Sequence, residues 1–234
     1  MLWTVNALAR NVTKWTRADD KRLLRLISYM HHTSNHVQVC FVGDAADHCS
    51  LMLFVDASFA AETTHSKSTS GCYLALVGPN TFVPLSWFVK KQGAVTHSSS
   101  ESEIVALDAG LRMTGLPTLV LWETIVATLS PPLGSRAIPT KVVGTPRTSP
   151  TIEDLIDYVP PTLPPLPGRI KLVILEDNEP VIKMCIKQRA PAMRHMARTL
   201  RINLNWLFER ITEDPCITIK YISTKMQLAD ILTK

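Results

Sequence analysis

The chain has 234 residues, 46% of them hydrophobic and 19% charged, with a formal net charge of +5 and a pI near 9.0. That apolar share excludes a wholly disordered protein and suffices for a substantial core, while the mild positive charge suits a polyanionic partner. Five cysteines, odd in number and never spaced as CxxC, argue against a disulfide framework or a zinc ribbon and for a reducing compartment.

The opening MLWTVNALARNVTKW has no basic segment ahead of a sustained apolar core, so no signal peptide is expected. Residues 1–44 read as helical. Thr16 followed by Asp19 is a capping-box-like start, and Leu23, Ile27 and Met30 recur at helical spacing, which predicts a buried stripe. Arg17, Lys21, Arg22 and Arg25 fall on a solvated face. His31, His32, His36 and Cys40 match no standard metal-site spacing.

From Leu51 the period changes to two, and LMLFVDAS predicts a strand with Asp56 at its end. Ser68 to Val89 carries no charge for 22 residues, long enough in principle to span a bilayer. Gly78-Pro79-Asn80 lies at its middle, however, and predicts two strands, Cys72–Val77 and Thr81–Lys90, joined by a turn. No membrane partner is expected. The first long helix opens at Ser98-Ser99-Ser100 and runs through Glu101, Glu103, Ile104, Leu107 and Leu111. A second, Leu119 to Leu129, follows Pro117.

Residues 131–167 hold ten of the sixteen prolines and read as an inserted loop, with Pro161 and Pro164 at PxxP spacing. Order returns with RIKLVILED, a strand of buried type over Arg169–Asp177 that ends in two carboxylates. Pro180 suits the first turn of the helix Val181–Lys187. A longer helix is predicted over about Ala192–Ile211, with Leu200, Leu204, Leu207 and Ile211 as its stripe. A last strand, Cys216–Ile222, and a last helix, Gln227–Lys234, close the chain.

The chemistry is suggested by carboxylates at the ends of these elements. Asp56 ends the first core strand, Asp177 ends RIKLVILED, and Asp230 sits among Leu228, Ala229, Ile231 and Leu232. Burying such a group is costly unless something compensates it, and oxygen-rich sites suit magnesium or manganese. On the first long helix, Glu103 lies only about 40° from Leu107, whereas Glu101 falls outside the apolar arc. Glu103 is therefore the sheet-facing glutamate, and Glu101 an exposed first-turn residue favourable to the helix dipole. Singly, each acid has a bland reading as a turn, cap or solvated residue; four together are harder to set aside.

The words FVDASFA, HSKSTSGCYLAL, PLSWFVKKQGAVTHSSSESEIVALDAG, LEDNEPVI and YISTKMQLADILTK, in that order, resemble the ribonuclease H domain of copia-type retrotransposon Pol polyproteins. LWTVNALAR and the Lys21–Met30 helix resemble the segment that joins the reverse transcriptase to this domain. The resemblance implies a reverse transcriptase connection remnant over 1–44 and a ribonuclease H-like domain over 45–234. It implies an α/β fold, a five-stranded mixed sheet flanked by helices, and a four-carboxylate metal site on Asp56, Glu103, Asp177 and Asp230.

The implied reaction is endonucleolytic hydrolysis of the RNA strand of an RNA–DNA hybrid, with two Mg2+ or Mn2+ ions about 4 Å apart and no small-molecule cofactor. By resemblance Asp56 bridges both ions, Glu103 and Asp177 face one, and Asp230 faces the other. The partners implied are the hybrid and the rest of the polyprotein, in a cytoplasmic virus-like particle or the nucleus.

Seven cations stand against the single acid Glu209 between Lys183 and Arg210. Arg194, Arg198 and Arg201, at i, i+4 and i+7, are expected on one helix face, and with Lys187 and Arg189 they are candidates for phosphate contact. An ordinary solvated face is the competing reading. His195, in the same stretch, could contact phosphate or simply be solvated. Two other functions remain open. One is a catalytically inactive hybrid-binding module, suggested by the absence of a YxDD motif and by an Asp230 only four residues from Lys234. The other, a strand-transfer nuclease of the integrase class, is disfavoured by the ordered words.

Overall fold

A computed structural model describes residues 1–59, 66–129 and 170–233; the proline-rich stretch at 131–167 lies outside the described residues. In chain order come α1 (Leu2–Arg10), α2 (Arg17–His32), β1 (Phe41–Val42), β2 (Ser50–Ser58), β3 (Thr69–Gly78) and β4 (Thr81–Lys91). Then follow α3 (Ser99–Gly110), a π-helical turn (Leu111–Gly115), α4 (Leu116–Leu129), β5 (Leu172–Glu176) and α5 (Glu179–Ile186). The chain continues through α6 (Met196–Thr199), α7 (Leu204–Glu213), β6 (Ile217–Tyr221) and α8 (Asp230–Thr233).

The strands form one mixed six-stranded sheet in the order β1-β4-β3-β2-β5-β6. The pairs on the β1 side of β2 are antiparallel, because β3 and β4 are joined by a tight turn. β5 pairs parallel with both β2 and β6, and α5, α6 and α7 form the crossover that a parallel pair requires. The sheet has one strand more than the five expected: the two-residue β1 adds to its edge beside β4.

Period two places alternate residues of β2 in two layers. Leu51, Leu53 and Val55 pack with Ile104, Leu107 and Leu111 of α3 and its continuation, and with Val181, Ile182, Leu207 and Ile211. Met52 and Phe54 face the other layer, with Ala75, Val173, Leu175 and Ala229. Gly110 allows α3 to come this close, since a Cβ there would meet Val55 Cγ1 at 2.7 Å. The hairpin forms where expected, with Gly78 opposite Thr81 and only Pro79-Asn80 between the strands. Asp44 clamps it, accepting from the Asn80 N–H at 2.6 Å and the Thr81 hydroxyl at 2.7 Å. Pro84 is tolerated within β4 because the register shifts opposite Leu74 and Ala75.

Several expectations are corrected. Leu23, Ile27 and Met30 are 37%, 54% and 53% exposed; α2 buries Leu26 and Asp19 instead. Among the described residues its main partner is α1 rather than a strand of the sheet, so no broad apolar surface selects the widest stripe. The break expected before Leu119 is also absent: the helix runs without interruption from Ser99 to Leu129. Pro117 falls in the first turn after the π-helical turn, where the changed hydrogen-bond register tolerates a residue without an N–H. By length and composition alone this helical run could cross a membrane, but its α3 half is core, packed on β2 and β3.

The helix predicted over 192–211 is broken. Pro191–Met193 is a 3-10 turn, α6 spans a single turn, Arg201 takes φ 58°, and Asn203 starts α7 by accepting from the Trp206 N–H. Ile202 is buried in the core, and the chain leaves helical geometry around it. RIKLVILED narrows to Leu172–Glu176, and the last helix to a single turn.

Candidate metal centre

The candidate site lies where the sheet changes direction. From β2 the antiparallel strands extend one way and the parallel strands the other, and side chains beyond the C-terminal ends of β2 and β5 face the crevice between them. The β2–β5 register runs to Phe54 opposite Leu175, so Asp56 and Asp177 emerge just past the last paired residues. Gln227 fills the split: its Nε2 donates to the Val55 carbonyl at 2.9 Å and the Leu175 carbonyl at 3.3 Å. These carbonyls immediately precede Asp56 and Glu176, so one buried amide fixes both strand ends. Sequence reading had not singled out Gln227.

One carboxylate oxygen each from Asp56, Glu103 and Asp177 lies within 4.8 Å of the other two. Strand, helix and loop thus supply the convergence expected of three of the four predicted residues. Asp56 is held by the buried Thr233 hydroxyl of α8. Gly71, opposite Asp56 in β3, permits that approach, because a Cβ there would meet Thr233 Cγ2 at 2.7 Å. Asp177 accepts from the Thr224 hydroxyl at 2.8 Å. Asp230 begins α8 but its carboxylate is not among the converging oxygens; Thr233 is the α8 side chain that reaches Asp56.

Electrostatics make the cluster expensive without a cation. Burial, and then the charges of Glu176, Asp56 and Asp177, push the Glu103 carboxyl up to about 11, although the Ala57 N–H donates to it. Glu103 Oε2 is buried with no hydrogen-bond partner. Glu176 is fully buried and also raised, first by burial and then by Asp177. Carboxylate oxygens converging in this way form a hard donor set suited to Mg2+ or Mn2+. An orphaned buried oxygen is what such an ion would satisfy, so the residues present fit a divalent cation.

Glu101 departs from expectation. It is buried, accepting from the His97 N–H at 2.7 Å, with Oε1 3.3 Å from His195 Nε2. The rings of His97 and His195 meet edge to face at 5.7 Å. The helical wheel correctly places Glu101 off the sheet-facing arc, yet the 190s segment folds over that side. His195 therefore brings the basic segment against the N-terminus of α3, two residues before Glu103.

Lys187, Arg189, Arg194, Arg198 and Arg201 are all exposed. The single helical face expected for Arg194, Arg198 and Arg201 does not exist, because the helix is interrupted between them. Arg189 and Arg194 instead line a groove of about 420 Å³ with Gln188, Asn203 and Asn205. A second, open groove of about 580 Å³ runs past Asp177, between Ser99 and Ser100 at the start of α3 and Tyr221.

Comparison with protein-family models, with curated proteins and with solved structures finds no match. The class supported by the fold and the site is an α/β protein with a six-stranded mixed sheet flanked by helices. It carries a buried acidic triad able to hold a metal ion.

Proposed function

We propose that the chain is a metal-dependent ribonuclease H, which hydrolyses the RNA strand of RNA–DNA hybrids during retrotransposon reverse transcription. The observation that carries this reading is the convergence of Asp56, Glu103 and Asp177 within 4.8 Å at the ends of β2 and β5. The order of three antiparallel strands, a helix, then two parallel strands agrees with the fold that the sequence words imply.

Asp56, Glu103 and Asp177 would hold the divalent ion or ions. When bound, such ions supply an activated water and neutralise charge on the scissile phosphate. The chain's own residues do the rest. Gln227 and Thr233 hold the β2 end and the Asp56 carboxylate in place. The groove beside Asp177 opens the site to a polymer, and the N-terminus of α3, exposing Ser99 there, favours a backbone phosphate. The exposed cations from Lys187 to Arg201 would give sequence-independent affinity for the hybrid, in a segment that lies beside the site where His195 approaches Glu101.

The test is Mg2+- or Mn2+-dependent cleavage of a labelled hybrid. Asp177→Asn should lower the rate by at least about 100-fold, the scale set by removing a single electrostatic group from an active site. No metal-dependent product from folded protein would remove the reading, and unchanged activity in Asp177→Asn would remove the site. One observation favours the alternative of an inactive hybrid-binding module: the Asp230 carboxylate is not among the oxygens that lie within 4.8 Å of one another. Salt-sensitive hybrid binding without turnover would support that alternative.

A further inference from the structure

We propose that Gln92 is a positioning residue for the metal centre, holding Glu103 beside Asp56 by joining α3 to β3. The inference rests on the metal-dependent reading above and concerns how its site stays assembled.

Alternation places the side chain. Ser70 belongs to the β3 series of Cys72 and Leu74, which pack in the layer of α3. Gln92 directly follows β4, and its N–H donates to the Ser68 carbonyl at 2.9 Å, so it extends the ladder beside β3. Its side chain falls in the series of Phe88, which packs against the same layer. There it is buried. Nε2 donates to Ser70 Oγ at 3.0 Å and to the Ser102 carbonyl at 2.9 Å. A carbonyl only accepts, so the Ser102 contact fixes the orientation of the amide, and both its hydrogens are used.

The two ends of this bridge lie next to the acids. Ser102 immediately precedes Glu103, and Ser70 is the register partner of Ala57, which immediately follows Asp56. Oxygens of Asp56 and Glu103 converge within 4.8 Å, so like charges push α3 and β2 apart at this point. Ile104 and Leu107 hold the helix to the sheet, but apolar contact is non-directional and does not fix its exact placement. Hydrogen bonds do, because they weaken steeply with angle. An apolar side chain would fill the space of Gln92 without desolvating an amide. The amide instead supplies a directional link at the residue beside Glu103.

The experiment is a calorimetric titration of the whole chain with Mn2+, without nucleic acid, alongside thermal melts in EDTA. Gln92→Met keeps length and bulk but removes both hydrogen bonds. It should weaken Mn2+ binding by at least about 10-fold, the lower end of the range for groups that act through a metal ligand. Ser70→Ala removes one of the two acceptors and should weaken binding several-fold; it decides the matter if the methionine variant does not fold. Thr96→Ala is the control. It breaks a buried 3.0 Å contact with Ser68 in the same loop, and should lower Tm while leaving Mn2+ affinity unchanged.

Wild-type affinity in Gln92→Met and Ser70→Ala, with Asp177→Asn impaired, would overturn the proposal and leave the metal centre intact. An equal loss of affinity in Thr96→Ala would also overturn it, since general loosening of the loop would then account for the effect. Absence of Mn2+ binding by the wild-type chain would instead overturn the metal-dependent reading, and this inference with it.

Discussion

α2 and α3 begin alike and end up in different environments. Each opens on a hydroxyl residue three positions before an acid, Thr16 with Asp19 and Ser98 with Glu101. In each the acid accepts a backbone N–H at the helix start, from Thr16 and from His97. Yet α3 buries eight of its twelve residues, while α2 buries only Asp19 and Leu26 of its sixteen. The difference lies in what each helix rests on: α3 covers β2 and β3, whereas α2 leans on α1. Capping chemistry locates a helix, and the partner beneath it decides how much of it is interior.

The sharpest way to break the comparison is a matched pair of truncations. Leu107→Ala, at a fully buried position, should cost about 2–5 kcal/mol of stability by urea denaturation. Leu23→Ala, on the exposed side of α2, should stay within about 0.5 kcal/mol. A large loss at Leu23 would mean that another surface covers α2 in solution.

Next in size is an opposition in pH dependence, read from melts in EDTA. Glu103 carries a folded-state value of about 11 against its ordinary 4.5, so the folded chain retains a proton that the unfolded chain releases. Its contribution is fully present below about pH 4.5 and is lost as pH rises through the window toward about 11. Asp19 has the opposite sign: hydrogen bonds from Thr16 and Asn11 hold its carboxyl below the ordinary range. Its contribution is present above that range and disappears as the solution is acidified through it. Glu103→Gln should flatten the alkaline arm and leave the acidic arm in place; the reverse result would contradict both assignments.

The smallest effect concerns the caps. Ser98→Ala removes the acceptor for the Glu101 N–H and should cost about 1 kcal/mol, with Thr16→Ala costing a similar amount. Equal losses in the buried and the exposed helix would show that capping acts independently of burial.

Much of the fold and most of the site were legible in the sequence, for identifiable reasons. Period-two runs such as LMLFVDAS and the Gly78-Pro79-Asn80 turn define strands and a hairpin through local geometry. Asp56 and Asp177 could be read as strand-end acids, and Glu103 followed from its position beside Leu107 on the helical wheel. Glu101 seemed exposed because the wheel describes one helix in isolation, whereas His195, 94 positions later, closes over it. The break at Arg201 escaped notice because leucines at 200, 204 and 207 keep helical spacing while Ile202 enters the core.

By itself, then, the sequence determined most of the local elements, the alternation along the strands and the acids available for chemistry. Those properties depend on backbone periodicity and side-chain type within a few residues. Only the tertiary structure decided which acids meet: the sheet order brings the ends of β2 and β5 together, and Gln227 and Thr233 fix that junction from α8 and its approach. The physical reason is that clustering like charges is unfavourable locally. The packing of a distant, apolar framework supplies the free energy that holds them together.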